Sequence, residues 1–198
     1  MLQVKRQKDK RVIKSILHRI ADVPGGVTIN TSELGGKVLF EGTPIGPGSD
    51  GMYHVQKTAL IVTTANATAT DYEVAKGHHF KTGDYFATES CVGKQITAID
   101  KSDPAKDVIT LSATLGAEVK SGTCAFLSNG AAKTVKYKAN SVAGSNEDVE
   151  EGDNLFVSAW LHAVVRRGNA PVVNDTIEST MKAVSYTHLR AHETDSYL

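Results

Sequence analysis

Two adjacent histidines, His78 and His79, directly follow Gly77 and are the most conspicuous candidates in the chain for metal or acid–base chemistry. Successive residues of a strand point to opposite faces, so the two imidazoles could not hold one ion there; in a turn they are expected to bond to backbone or solvent. His54 and His162 have no partner fixed by their spacing. Cys91 and Cys124 belong to no Cys-x-x-Cys or Cys/His cluster, which leaves zinc without support and predicts two buried, reduced thiols. The Gly-x-Ser-x-Gly elbow of a serine hydrolase is missing. Asp100, Asp103 and Asp107 do not match a calcium-loop spacing and are expected in a solvated turn. Glu150-Glu151 sits in an acidic stretch, where a solvated surface is expected rather than a glycosidase dyad. These residues predict a protein that is not an enzyme, with no catalytic, cofactor-binding or metal residues.

A second histidine pair, His188 and His192, has the i, i+4 spacing that would align two imidazoles on a helix. It lies inside Val184-Ser185-Tyr186-Thr187-His188-Leu189-Arg190-Ala191-His192-Glu193-Thr194, which resembles the translation of a transposon-type sequencing adapter. Residues 184–198 are therefore expected to be a non-native tail with few core contacts, the native sequence running to about Ala183.

Lysine plus arginine equals aspartate plus glutamate at 22 each, so no global field favours nucleic acid or an acidic membrane. Nor does any apolar run reach the roughly twenty residues of a membrane span, and synthesis in a cytoplasm is expected. Charge is segregated locally. Met1 to Ile20 holds seven basic residues and one acid, and Glu147 to Asp153 holds five acids and no base.

Residues 8–22 read as a basic amphipathic helix. Ile13, Ile16, Leu17 and Ile20 form one apolar stripe, offered as a docking element, and Pro24-Gly25-Gly26 ends it. Residues 42–51, Gly-Thr-Pro-Ile-Gly-Pro-Gly-Ser-Asp-Gly, read as a linker or long turn without a phosphate-binding ending. The expected organisation is an arm and linker over 1–50, a β-rich domain over 51–183 and the tail over 184–198. The fold expected is mainly β, a small barrel or sandwich-like domain with an N-terminal helix and a short C-terminal one.

Within the β-rich part, Ile96–Asp100 and Asp107–Leu111 flank a Ser-Asp-Pro-Ala turn and read as a hairpin. Three segments, Phe80–Phe86, Val119–Phe126 and Val149–Phe156, repeat one device: an apolar residue, two polar ones, a turn glycine, then a new strand. Asn154 to Arg166 alternates with apolar residues on both faces, which predicts a central strand with Leu155, Val157, Trp160 and Leu161 mostly buried. Thr176 to Ala183 reads as a short helix capped by Asp175.

The stretch Thr63 to Phe86, and above all Lys76-Gly77-His78-His79-Phe80-Lys81-Thr82-Gly83-Asp84, resembles the head fiber proteins of tailed bacteriophages. So do Ile96–Asp100, Val108–Leu111, Leu115-Gly116 and the long strand followed by Arg166-Arg167 and Pro171, a resemblance spanning about residues 40–183. It implies a non-enzymatic virion protein on the outer head surface, made in the host cytoplasm. Its partners would be the major capsid protein and further copies of the chain, a homotrimer being expected. No small-molecule substrate, membrane or nucleic acid is implied, and the family supplies no catalytic residues. Two departures stand: the adapter-like tail occupies the place of the family's last strand, and the basic start has no counterpart in its pattern. The competing readings are a β-rich module binding carbohydrate or a host surface, and a nucleic-acid-binding protein using its basic arm.

Overall fold

The computed structural model describes residues 14–150, 152, 154–181 and 184–187. In chain order the strands are β1 (Ile16–Asp22), β2 (Val27–Ile29), β3 (Val38–Leu39), β4 (Pro44–Pro47), β5 (Tyr53–Val55), β6 (Thr58–Leu60), β7 (Asp71–Ala75) and β8 (Tyr85–Ala87). There follow β9 (Lys94–Asp100), β10 (Lys106–Leu111), β11 (Cys124–Leu127), β12 (Ser141–Ala143), β13 (Glu147–Asp148), β14 (Leu155–Val157) and β15 (Ala159–Arg166). Helix α1 (Asp175–Thr180) and strand β16 (Val184–Thr187) complete them. The protein is mainly β, as the alternating runs and turn residues predict. No helix among the described residues is long and apolar enough to cross a membrane.

Two curled sheets carry the architecture. One has six strands in the order β6-β11-β8-β9-β10-β7, and its end strands meet through an Ile61–Val74 bridge and a 3.0 Å bond from the Val62 N–H to the Glu73 carbonyl. The other runs β1-β15-β12-β4-β5-β2-β14, with β16 also on β15. It curls because β14 and β15 are one run of chain interrupted only at Ser158, so β14 carries the sheet back toward its start. The Ile96–Asp100 and Asp107–Leu111 hairpin forms as expected, with Ile109 opposite Ile99.

Three apolar clusters result. Ile61, Tyr72, Phe80, Phe86, Ile96, Ile109 and Leu127 fill the six-stranded sheet. Ile29, Leu39, Ile45, Val55 and Val157 fill the curl of the other. Between the sheets, Phe126 and Ala87 of one meet Ile16, Val142, Ala163 and Val165 of the other, with Ile177 of α1. Strand β11 is buried at all four positions, since Ala125 and Leu127 face one core and Phe126 another. A run apolar on both faces is what such a position demands.

The turn device repeated in the sequence is real. Gly83, Gly122 and Gly152 have φ of +95°, +88° and +94°, and β8, β11 and β14 begin soon after them. At Gly83 and Gly122 the residue after the glycine donates back across the turn, Asp84 to Lys81 at 3.2 Å and Thr123 to Lys120 at 3.2 Å. This geometry needs the left-handed backbone that glycine adopts without a steric penalty.

Several expectations are corrected. Residues 16–22 are not helical: β1 pairs antiparallel with β15, from Ile16 opposite Val165 to Asp22 opposite Trp160. The rest of the expected helix, with Ile13, lies outside the described residues. A 3.6-residue stripe lost to tertiary pairing because the long β15 offers a complete ladder, with bulges absorbing the mismatch in period. Residues 42–51 do not form a linker. They hold β4, which lies between β12 and β5, and Ile45 is fully buried. Strands β1, β2 and β4 are thereby woven into the same sheet as β12, β14 and β15, and β3 pairs with β13, so these residues do not form a separate arm.

Strand β15 has partners on both edges as expected, but its buried face is carried by Ala159, Ala163 and Val165. Leu155, Trp160 and Leu161 are half-buried, and of the four residues expected inside only Val157 is buried. Helix α1 is capped by the Asn174 side chain, which accepts from the Ile177 N–H, so Asp175 is its first residue and not its cap. Val184–Thr187, expected to stay apart from the domain, lies parallel to β15 with Val184 opposite Ala163 and Thr187 opposite Arg166. Beyond β12 that edge of β15 is open, and valine, tyrosine and threonine are strand formers, so backbone pairing alone suffices to seat the segment.

Candidate functional site

The segment 76–84 that carries the family resemblance lies where the loop of residues 31–37 meets the six-stranded sheet. Lys76 reaches across from the end of β7, its Nζ 2.5 Å from Asp107 Oδ1 on β10 and 3.2 Å from the Lys101 carbonyl. His78 is buried, with Nε2 3.1 Å from Asp107 Oδ2 and Nδ1 accepting the Phe80 N–H at 3.2 Å. His79 is buried on the other side of the chain, against Gly36, where a Cβ would stand 2.8 Å from its Nδ1. The Val38 backbone is the polar group beside the His79 ring, and neither ring nitrogen has a side-chain partner. Burial drives both histidines down to about 4; Asp107 opposes the shift at His78 without cancelling it, and Lys57 adds to it at His79.

The rest of the motif is equally committed. The Phe80 ring is fully buried, 5.4 Å from Phe86 between centroids. Gly35 donates its N–H to the His79 carbonyl at 2.9 Å, and a Cβ on Gly35 would fall 2.1 Å from the Phe80 carbonyl oxygen. Lys81 donates through Nζ to the Ser32 carbonyl at 2.7 Å and through its N–H to Asp84 at 2.8 Å. Asp84 in turn pairs with the buried Lys57. The histidines do point to opposite sides, as strand geometry suggested, and His78 takes a backbone bond as expected of a turn residue; both rings are buried among internal contacts.

A second polar cluster adjoins this one. The Glu33 carboxylate accepts from the Tyr137 hydroxyl at 2.7 Å and lies 3.3 Å from His54 Nδ1. His54 Nε2 lies 3.0 Å from Asp50 Oδ1, and the His54 ring stacks on Tyr137 with centroids 4.4 Å apart. Burial alone would raise the Glu33 carboxyl, but Tyr137, Lys136 and His54 together hold it below its ordinary value. Burial and the neighbouring Glu33 push the Tyr137 hydroxyl up. Both His54 nitrogens face carboxylates, so the arrangement orients a side chain rather than presenting a base to a substrate. Sequence reasoning found no partner for His54 because Glu33 and Tyr137 are brought to it from 21 and 83 residues away.

The remaining candidates separate. Cys91 and Cys124 are buried and free as expected, and burial, then Glu89, pushes the Cys124 thiol up to about 12. Asp100 and Asp103 cap their own turn, accepting from the Ser102 and Ala105 N–H groups at 2.9 and 2.8 Å. Asp107 departs from the expected solvated turn: it is 3% exposed and pairs with Lys76 and His78. His162 is exposed on β15. Glu151, like His188 and His192, lies outside the described residues. Among the described residues no group of three or more metal-ligating side chains converges.

The proposed docking residues divide. Ile16 is in the core between the sheets, while Leu17 and Ile20 are 44% and 50% exposed on β1. Between them Arg19 bonds Glu41 at 2.8 Å and the Gly144 carbonyl at 2.8 Å, its guanidinium 5.3 Å from the centroid of the Trp160 ring. A concavity of about 830 Å³ lies between the six-stranded sheet and residues 167–175. Comparison of the chain with protein-family models, with curated proteins and with solved structures returned no match.

Proposed function

We propose that this chain is a structural protein of a tailed-phage virion, decorating the outside of the head as a fiber or auxiliary capsid protein. The observation that carries the reading is the fate of the Lys76–Asp84 motif. The resemblance rests on it, and its lysines, histidines and aspartate are spent on internal contacts. A motif whose ionisable groups are used in internal contacts suits a scaffold better than a reaction centre. The two curled sheets are read as small β-barrels, a form that removes most exposed strand edges and suits a particle surface.

Docking falls to the exposed side of β1. Leu17 and Ile20 present apolar side chains to solvent on a strand whose outer edge has no partner among the described residues, and Ile16 anchors that strand from within. Many copies on a symmetric shell would gain avidity, so each contact can be modest. The test is co-sedimentation of purified protein with assembled heads, using wild type and a Leu17→Asp/Ile20→Asp variant. Wild type should sediment with heads and the variant should remain in solution while keeping its melting temperature. Wild type that ignores heads, or binds DNA with a steep loss on adding salt, would sink the reading. Analytical ultracentrifugation tests the expected trimer.

A further inference from the structure

Among the described residues the end strands of the six-stranded sheet meet only around the Ile61–Val74 bridge. Beyond the Ile61–Val74 bridge no pairing continues among the described residues between Thr58–Leu60 and Lys76–His78. The two lips diverge, and the cavity of about 830 Å³ opens in the gap, with Ala170, Pro171 and Val172 as its outer wall. In the β6–β11 ladder the Ile61 N–H donates to the Thr123 carbonyl at 3.0 Å, and the Leu127 N–H donates to the Lys57 carbonyl at 2.9 Å. Strand alternation then turns the backbone groups of Thr58 and Leu60 away from β11; the Leu60 carbonyl faces Ala75 across the Ile61–Val74 bridge, which leaves Thr58 and the Leu60 N–H toward the cleft.

The bases around the cleft are paired and the acids are not. Lys76 is held by Asp107, and Arg167 by Glu178. Glu89 and Asp175 also line the cleft, and neither has an ion pair among the described residues. The cleft therefore combines an unextended strand edge, an apolar wall and two free carboxylates. An extended backbone satisfies the first, alternate apolar side chains the second, and basic side chains the third.

We infer that this seam is a strand-acceptor site that binds an extended, basic polypeptide segment of a partner protein by adding it to β6. Backbone bonds would supply affinity, and the carboxylates would select basic sequences. The inference stands apart from the virion reading, since it concerns a different surface from β1.

The test uses the full chain and two immobilised peptide libraries, Lys-X-Val-X-Lys and its acidic mirror Glu-X-Val-X-Glu. The basic library should be retained roughly tenfold more strongly, and added salt should weaken it. Glu89→Lys and Leu60→Arg, checked for unchanged melting, should each abolish that preference. In the wild-type protein, bound basic peptide should slow amide exchange at Thr58 and Leu60. Equal retention of both libraries, retention unaffected by either variant, or binding without protection of those two amides would each overturn the inference.

Discussion

Lys57 Nζ and Asp84 Oδ2 lie 2.7 Å apart where the two sheets join, with the lysine side chain 1% exposed and the aspartate 15%. Lys57 stands between β5 of one sheet and β6 of the other, and Asp84 ends the family-like motif just before β8. The same ammonium donates to the Glu33 carbonyl at 2.5 Å. One buried cation thus ties together the interstrand joint, the 31–37 loop and the motif turn. Burial lowers the Lys57 pKa, and Asp84 works against that shift.

Removing one partner should cost more than removing both. Asp84→Asn leaves the ammonium buried without its counter-charge and is expected to cost about 3–5 kcal/mol. Lys57→Met with Asp84→Asn should recover part of that loss, because no charge then remains buried. Urea denaturation of the two single variants and the double checks this; strictly additive losses would show that the pair does not couple.

Acid should loosen the joint through His78 and His79. Both fold with values near 4 against an ordinary 6.5, so the unfolded chain binds more protons between those values. Their contribution is complete above about pH 6.5 and is lost as pH falls toward 4, of the order of 3 kcal/mol for each group. Glu33 and Asp50 are also held below their ordinary values, so their contribution too is lost on acidification, but only as pH falls through the carboxylate range and below it. His79→Leu should therefore flatten the stability profile between pH 6.5 and 4.5 while leaving the more acidic limb in place. An unchanged profile in that window would count against the assignment.

Glycine substitutions should separate backbone strain from crowding. Gly83 has φ of +95° with nothing near a prospective Cβ, so Gly83→Ala should cost about 1–2 kcal/mol from backbone strain alone. At Gly35 the added carbon would lie 2.1 Å from the Phe80 carbonyl oxygen. Gly35→Ala must displace backbone at the joint and should cost more than Gly83→Ala, read as a larger drop in urea midpoint. The reverse order would show that the 31–37 loop shifts freely.

Core truncations should rank by burial in the structure, not by the sequence pattern. Phe126→Ala, at a site 1% exposed between the sheets, is expected to cost about 3–5 kcal/mol. Leu161→Ala, on a half-buried site of β15, should cost clearly less. Thermal or urea unfolding of the two variants decides, and equal losses would place Leu161 in the core after all.

Local chemistry determined much by itself. The turn glycines at 83 and 122, the 96–111 hairpin, the mainly β character and the buried thiols were all legible, because each depends on backbone preference or side-chain hydrophobicity over a few residues. What the tertiary structure decided was pairing. Residues 16–22 carry a helical stripe yet became a strand because β15, over a hundred residues away in sequence, offered them a ladder. The Gly/Pro stretch 42–51 reads as a linker, but the neighbouring strands β5 and β12 draw Pro44–Pro47 into a sheet. The partners of His54, Lys57 and His78 were likewise invisible, since Glu33, Asp84 and Asp107 reach them only once the sheets have curled. Non-local contacts leave no periodic trace in a single chain, and those contacts set which groups here are buried, paired or left facing solvent.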